Sequence, residues 1–266
     1  MPQVRKSGTA WVCSLDDYAY TRGLDYMGWA WEFLRRNQDY NQDYRINRAG
    51  HLVPINHMSG ATIVRLRRRV IAAEKWGLHL FADPRKASHD AHIFWLADLA
   101  QSRVNCTLCN DNESGALNLS SFAGKRCVLV TPSDEFVVIA DQQISACMVV
   151  KNSTFLIGKS TVIFKISGLE NSMKAIGAVR ALRLLRTHAH AEPIAQPCFP
   201  SKYLSYLVAL DGHLAGRSYR DIAEVLYGKD SVGTYWTDDS RGLKSKVRRA
   251  VERGVALMNG GYRELL

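Results

Sequence analysis

The chain has 266 residues, a formal net charge of +10 and 47% hydrophobic residues. That size holds one large domain or two to three small ones, and the apolar content is enough to bury a core. No apolar stretch reaches membrane-span length, and the N-terminal MPQVRKSGTAW lacks a signal-like apolar core, so a cytoplasmic protein without membrane contact is expected.

Residues 16–48 read as helical. Tyr26, Trp29, Ala30 and Phe33 recur at helical spacing and form an aromatic face, with Arg35 and Arg36 following on the polar side. Residues 62–75 read as a second helix, with Ile63, Leu66, Val70 and Ala73 inward and Arg65, Arg67, Arg68 and Arg69 outward. From about Ala91 the pattern changes to short strand-like runs at 92–96, 127–131, 136–140, 144–150 and 161–166. Residues 132–135 (PSDE) read as a hairpin turn and 105–116 as a polar loop. This is a small antiparallel sheet, not an alternating β-α-β series. Helices resume at 173–188 and 201–215, across a linker marked by Pro193, Pro197 and Pro200.

The last fifty residues are the most informative. Residues 218–227 form a short amphipathic helix with Ser218 as N-cap, Asp221 three residues on and Gly228 as stop. Residues 238–254 form a second helix. Leu243, Val247, Ala250, Val251 and Gly254 make one apolar stripe, while Arg241, Lys244, Lys246, Arg248, Arg249 and Arg253 fan over the rest against a single acid, Glu252. A small helix packed on a basic helix is how a helix-turn-helix offers side chains to the major groove. The connection from Gly228 to Thr237 is longer than a simple turn of that motif, and reads as an inserted loop.

Charge is uneven: about +1 over residues 1–60, +4 over 61–90, zero over 91–179 and +5 over 180–266. Two basic concentrations beside a neutral middle suggest a polyanion, and nucleic acid fits best.

Enzymatic chemistry finds little support. The Gly158-Lys159-Ser160-Thr161 run lacks the upstream glycine of a phosphate loop and runs into a strand. No nucleophile elbow, zinc-binding H-E-x-x-H or paired carboxylate stands out. The six cysteines are expected to be reduced thiols, and Cys106 and Cys109 form a lone C-x-x-C without a second pair, so neither metal nor cofactor is expected.

The WAWEFLRRN segment at 29–37 with Tyr40, KWGL at 75–78, Asp83-Pro84 and Phe94-Trp95 resemble the N-terminal signature of RovC-like bacterial transcription regulators. The C-terminal run Ala209-Leu210-Asp211-Gly212, Asp221-Ile222-Ala223, Leu226-Tyr227-Gly228, Trp236, Val247-Arg248-Arg249, Arg253-Gly254 and Gly261-Tyr262-Arg263 resembles that family's DNA-binding domain. Family members activate type VI secretion genes or control excision and transfer of integrative and conjugative elements. Because both ends are present, the resemblance implies the activator form rather than a short antiactivator carrying only the C-terminal type.

The expectation is an α+β protein: a helical N-terminal domain at 1–88, a β-rich middle domain at 89–170 and an all-α helix-turn-helix-type domain at 171–266. Its expected function is sequence-specific activation from double-stranded promoter DNA, without enzymatic activity, as a homo-oligomer that contacts RNA polymerase or another protein. Arg241, Lys244, Ser245, Arg248 and Arg249 would lie in or along the major groove, and Arg217, Ser218 and Arg220 would meet backbone phosphates. Arg35, Arg36, Arg67 and Arg68 are further candidates for a partner or DNA contact. The alternative is an antiactivator that uses the same domain to bind a protein. A nucleic-acid enzyme is the third reading, and it would need carboxylates or a nucleophile assembled by folding.

Overall fold

The computed structural model describes residues 14–47, 54–96, 99, 103–109, 119–122, 124–141, 145–151, 153–156, 160–166, 172–186, 201–236 and 242–266. The chain is α+β and divides into two compact units, neither continuous in sequence. The first combines the N-terminal stretch to Asn41, Pro84–Asp90 and the C-terminal stretch to Leu265. The second combines Gln42–Asp83 with the chain from Ala91 through the middle.

The first unit is helical. A 3-10 helix, Leu15–Thr21, precedes α1 (Tyr26–Leu34), and α2 (Gln38–Ile46) begins here. Asp25 caps α1 by accepting the Gly28 N–H at 2.8 Å. Apart from Tyr26 and Met27, α1 is buried all round, including Trp29, Trp31, Glu32, Phe33 and Leu34. Of the aromatic stripe read from the sequence, Trp29, Ala30 and Phe33 are buried while Tyr26 is exposed, and Trp31, Glu32 and Leu34 extend the buried surface beyond it.

The C-terminal half of this unit contains α5 (Ser201–Leu214), α6 (Tyr219–Tyr227), α7 (Lys229–Tyr235), α8 (Leu243–Met258) and a 3-10 helix, Gly261–Leu265. Their core joins Ala209, Ile222, Ala223, Val232, Leu243, Val247, Ala250 and Val251.

The second unit is built on a mixed seven-stranded sheet in the order β1-β2-β4-β5-β6-β3-β7. The strands are β1 (Ile55–Asn56), β2 (Thr62–Arg65), β3 (Val104–Cys109), β4 (Lys125–Val130), β5 (Asp134–Ala140), β6 (Ser145–Lys151) and β7 (Thr161–Lys165). The hairpins β4–β5 and β5–β6 match the strand runs read from the sequence. The sheet is not wholly antiparallel, however: β2 pairs with β4 and β3 with β6 in parallel.

Three further readings are corrected here. Residues 62–75 are not one helix; Thr62–Arg65 is a strand and only Ile71–Glu74 (α3) is helical. The inward positions were right, because Ile63, Leu66 and Ala73 are buried, but β-branched Ile63 and Val64 complete a strand ladder beside β4. Residues 105–109 are strand, not loop. Residues 92–96 form no strand, and Trp95 makes only a bridge to Leu78.

Helix α4 (Ser172–Arg186) lays Ala178, Ala181 and Leu184 on one sheet face with Val128, Val137, Ile139 and Met148. The opposite face packs Val64, Leu129, Phe136 and Val149 with Leu80 and Phe94. The proline linker read at 193–200 lies outside the described residues.

Candidate nucleic-acid interface

Helix α6 starts where the sequence places it. The Ser218 hydroxyl accepts the Asp221 N–H, and the Asp221 carboxylate accepts the Ser218 N–H, both at 3.2 Å. Gly228 ends it at φ +82°, a conformation natural to glycine, and α7 begins at the next residue. The stretch read as an inserted loop is thus mostly helix. Val232 is the residue of α7 that enters the core, while Lys229, Asp230, Thr234 and Tyr235 are exposed. This surface is not legible in the sequence, because Gly233 within it argues against a helix.

Helix α8 is split as its periodicity predicts. Leu243, Val247, Ala250, Val251 and Gly254 are buried, whereas Lys246, Arg248, Arg249 and Arg253 are exposed. A Cβ on Gly254 would stand 2.6 Å from the Tyr206 carbonyl oxygen and 3.0 Å from Leu210 Cβ. This glycine lets α8 lie directly against α5.

Not every expected site residue falls on the outer face. Ser245 is buried, so it is removed from the DNA-facing set, and Lys244 is half-buried. Arg241 lies outside the described residues. Arg217 is half-buried between α5 and α6, and its Nε has no hydrogen-bond partner. Ser218 and Arg220 are exposed. Arg220 and Arg248 each lie 3.8 Å from a glutamate one turn on, Glu224 and Glu252. Exposed pairs of this kind contribute about 0.3–0.5 kcal/mol, little enough to be exchanged for a phosphate.

Arg35 and Arg36 are corrected more sharply. They are buried, not surface contacts. Arg35 Nε donates to Glu32 Oε2 at 2.6 Å, and Arg36 Nη1 donates to the same oxygen at 2.8 Å. The other side of the Arg36 fork grips Asp211 of α5, with Nε on Oδ1 at 2.6 Å and Nη2 on Oδ2 at 2.8 Å. Tyr18 donates to Asp211, Tyr20 to Glu32, and the Ser88 N–H to Glu32. Burial by itself would raise the Glu32 carboxyl pKa, but Arg35 and Arg36 outweigh it and hold it below its usual value. Burial would likewise lower Arg36, but Asp211 and Glu32 keep it well above its usual value.

Asn37 completes the connection. Its Nδ2 donates to the Met258 carbonyl at 3.2 Å and to Asn259 Oδ1 at 3.3 Å, at the C-terminal end of α8. The Glu-Phe-Leu-Arg-Arg-Asn segment of α1 and the turn after it therefore ties to α5 through Asp211 and to the C-terminal end of α8, the helix that carries the basic face.

Among the described residues the cysteines Cys106, Cys109, Cys127 and Cys147 are free thiols. Cys106 and Cys109 sit on β3, where an i, i+3 pair points to opposite faces. Burial pushes the Cys106 thiol up to about 12 and Cys147 to about 11, so both are protonated and unreactive at neutral pH. Among the described residues no three His, Cys, Asp or Glu side chains converge on a metal position, and no helix is long and apolar enough to cross a membrane.

Comparison with protein families gives two matches. Residues 168–266 match a family described as a T6SS transcription factor DNA-binding domain, named for RovC. Residues 13–80 match a proteobacterial transcriptional regulator-like domain. Comparison with curated proteins gives no match. The C-terminal match contains the whole of α5 to α8, and the N-terminal match contains the α1 segment that ties to them. Taken together, the matches identify the chain as a RovC-like transcription regulator with a DNA-binding domain of the kind linked to type VI secretion.

Proposed function

We propose that this regulator is a sequence-specific activator that binds promoter DNA of a bacterial operon, such as type VI secretion genes or genes for element excision and conjugative transfer. The observation that carries the reading is the two-sided surface of α8, with its apolar stripe in the core and Lys246, Arg248, Arg249 and Arg253 turned outward. Arg248 and Arg249 would read base edges, since a guanidinium can bridge guanine O6 and N7. Lys246 and Arg253 would set register on phosphates, together with Arg217, Ser218 and Arg220 at the start of α6. A neutral or acidic outer face would instead favour an antiactivator that binds protein. One such head rarely supplies enough specificity, so a homo-oligomer on repeated half-sites is part of the proposal, as is contact with RNA polymerase.

The test is binding of the full chain to DNA upstream of its neighbouring operons, against random competitor, at two salt concentrations. A complex at least about 10³-fold tighter than random DNA and weakened by salt is expected. Equal binding to all duplexes would contradict sequence-specific recognition. No binding at all would favour the protein-binding antiactivator.

A further inference from the structure

We infer that Arg65, Arg67 and Arg68 form a second phosphate-binding site, in the sheet-containing unit, that grips nucleic acid without reading its sequence. The inference rests on the DNA-binding function proposed above and adds a contact outside the helical unit.

The three arginines are held outward by the fold. Arg65 is the exposed last residue of β2, following buried Ile63 and Val64. The next residue, Leu66, is buried in the core and donates its N–H to the Val130 carbonyl at 2.8 Å. Val70 packs on the same core, and its carbonyl accepts the Ala73 N–H at 2.9 Å to open α3. A short bend pinned at both ends thus carries Arg67 and Arg68 into solvent.

Among the described residues their charge has no carboxylate partner. Arg69 is neutralised by Glu74, with Arg69 Nε donating to Oε1 at 2.8 Å. No carboxylate among the described residues lies within ion-pair distance of Arg65, Arg67 or Arg68. Three like charges within four positions repel one another, and all three side chains are exposed. All three are arginines, whose planar fork matches the oxygens of a phosphate. The surrounding stretch, residues 61–90, carries an excess of about +4. An anion relieves the repulsion, and the backbone of DNA supplies phosphates in series.

The test is a salt titration of the full chain on a labelled mixed-sequence duplex of about thirty base pairs, for wild type, R67A/R68A, R67K/R68K and R248A/R249A. Losing two phosphate contacts should make the slope of log K against log salt shallower by about 1.8. Between about 50 and 200 mM salt the variant should then lose about tenfold less affinity than wild type. R67K/R68K should keep the wild-type slope. Both substitutions fall on an exposed bend, so the thermal melt should not move. If R67A/R68A leaves slope and affinity unchanged while R248A/R249A weakens binding, the loop site is wrong and the α8 reading stands. If the wild-type chain binds no duplex at any salt, both readings fall.

Discussion

The two units are stabilised by different chemistry. In the sheet unit both faces are packed almost wholly by apolar side chains: Val128, Val137 and Met148 on one, Leu129, Phe136 and Val149 on the other. In the helical unit, four charged groups, Glu32, Arg35, Arg36 and Asp211, are drawn together between segments up to 175 residues apart in sequence. Apolar packing is tolerant, because many side chains of similar volume fill the same space. A buried ion network is selective, because each partner left alone is a desolvated charge. The unit that carries the basic helix is the one built with the selective device.

That difference is open to attack by mutation. The largest effect is expected for Arg36→Ala, which strands Asp211 and half of Glu32. A loss of about 3–5 kcal/mol is expected, read by urea denaturation, with hydrogen-exchange protection falling in α5 and α8. Arg36→Met combined with Asp211→Leu should recover much of it. Recovery without the charges would show that the network sets arrangement more than stability. Leu129→Ala should cost about 3 kcal/mol through the cavity it leaves, with exchange rising in β4, β5 and β6. Loss of protection in α8 from this change would break the comparison.

The smallest effect is expected from acid. Glu32 is held below its usual pKa of 4.5, so it contributes stability that is fully present above that pH. The contribution is lost as pH falls through the lower folded value. Denaturation midpoints measured from pH 7 downward should drop below about pH 4.5, and Glu32→Gln should flatten that part of the profile. A profile identical to wild type would deny Glu32 its role.

These contrasts explain what the sequence disclosed. Local signals survived folding. The Ser218–Asp221 cap and the α8 stripe rest on contacts within a few residues, and strands β4 to β6 on short continuous apolar runs buried on both faces. Residues 62–75 were misread because Ile63, Leu66, Val70 and Ala73 suit a helix, whereas the pairing with β4 that made the first part a strand lies some 65 positions downstream. Strand β3 did carry a period-two signal, with Val104, Cys106 and Leu108 buried between half-buried Asn105, Thr107 and Cys109. Its polar residues hid it among loop residues. Arg35 and Arg36 looked like surface charge because Asp211 is remote. The nearer clue was Glu32, three and four positions before them, which a helix places beside both. The candidate interface was thus legible in its periodicity, while the parts fixed by distant segments were not.

The most direct test of the account is the affinity of R248A/R249A for DNA, with its fold checked by circular dichroism and thermal melting. Both side chains are exposed on α8 and contribute nothing to its buried stripe. An unchanged melt and a loss of binding to promoter DNA of at least about tenfold are expected. Unchanged affinity in a folded variant would contradict the assignment of α8 as the helix that meets DNA.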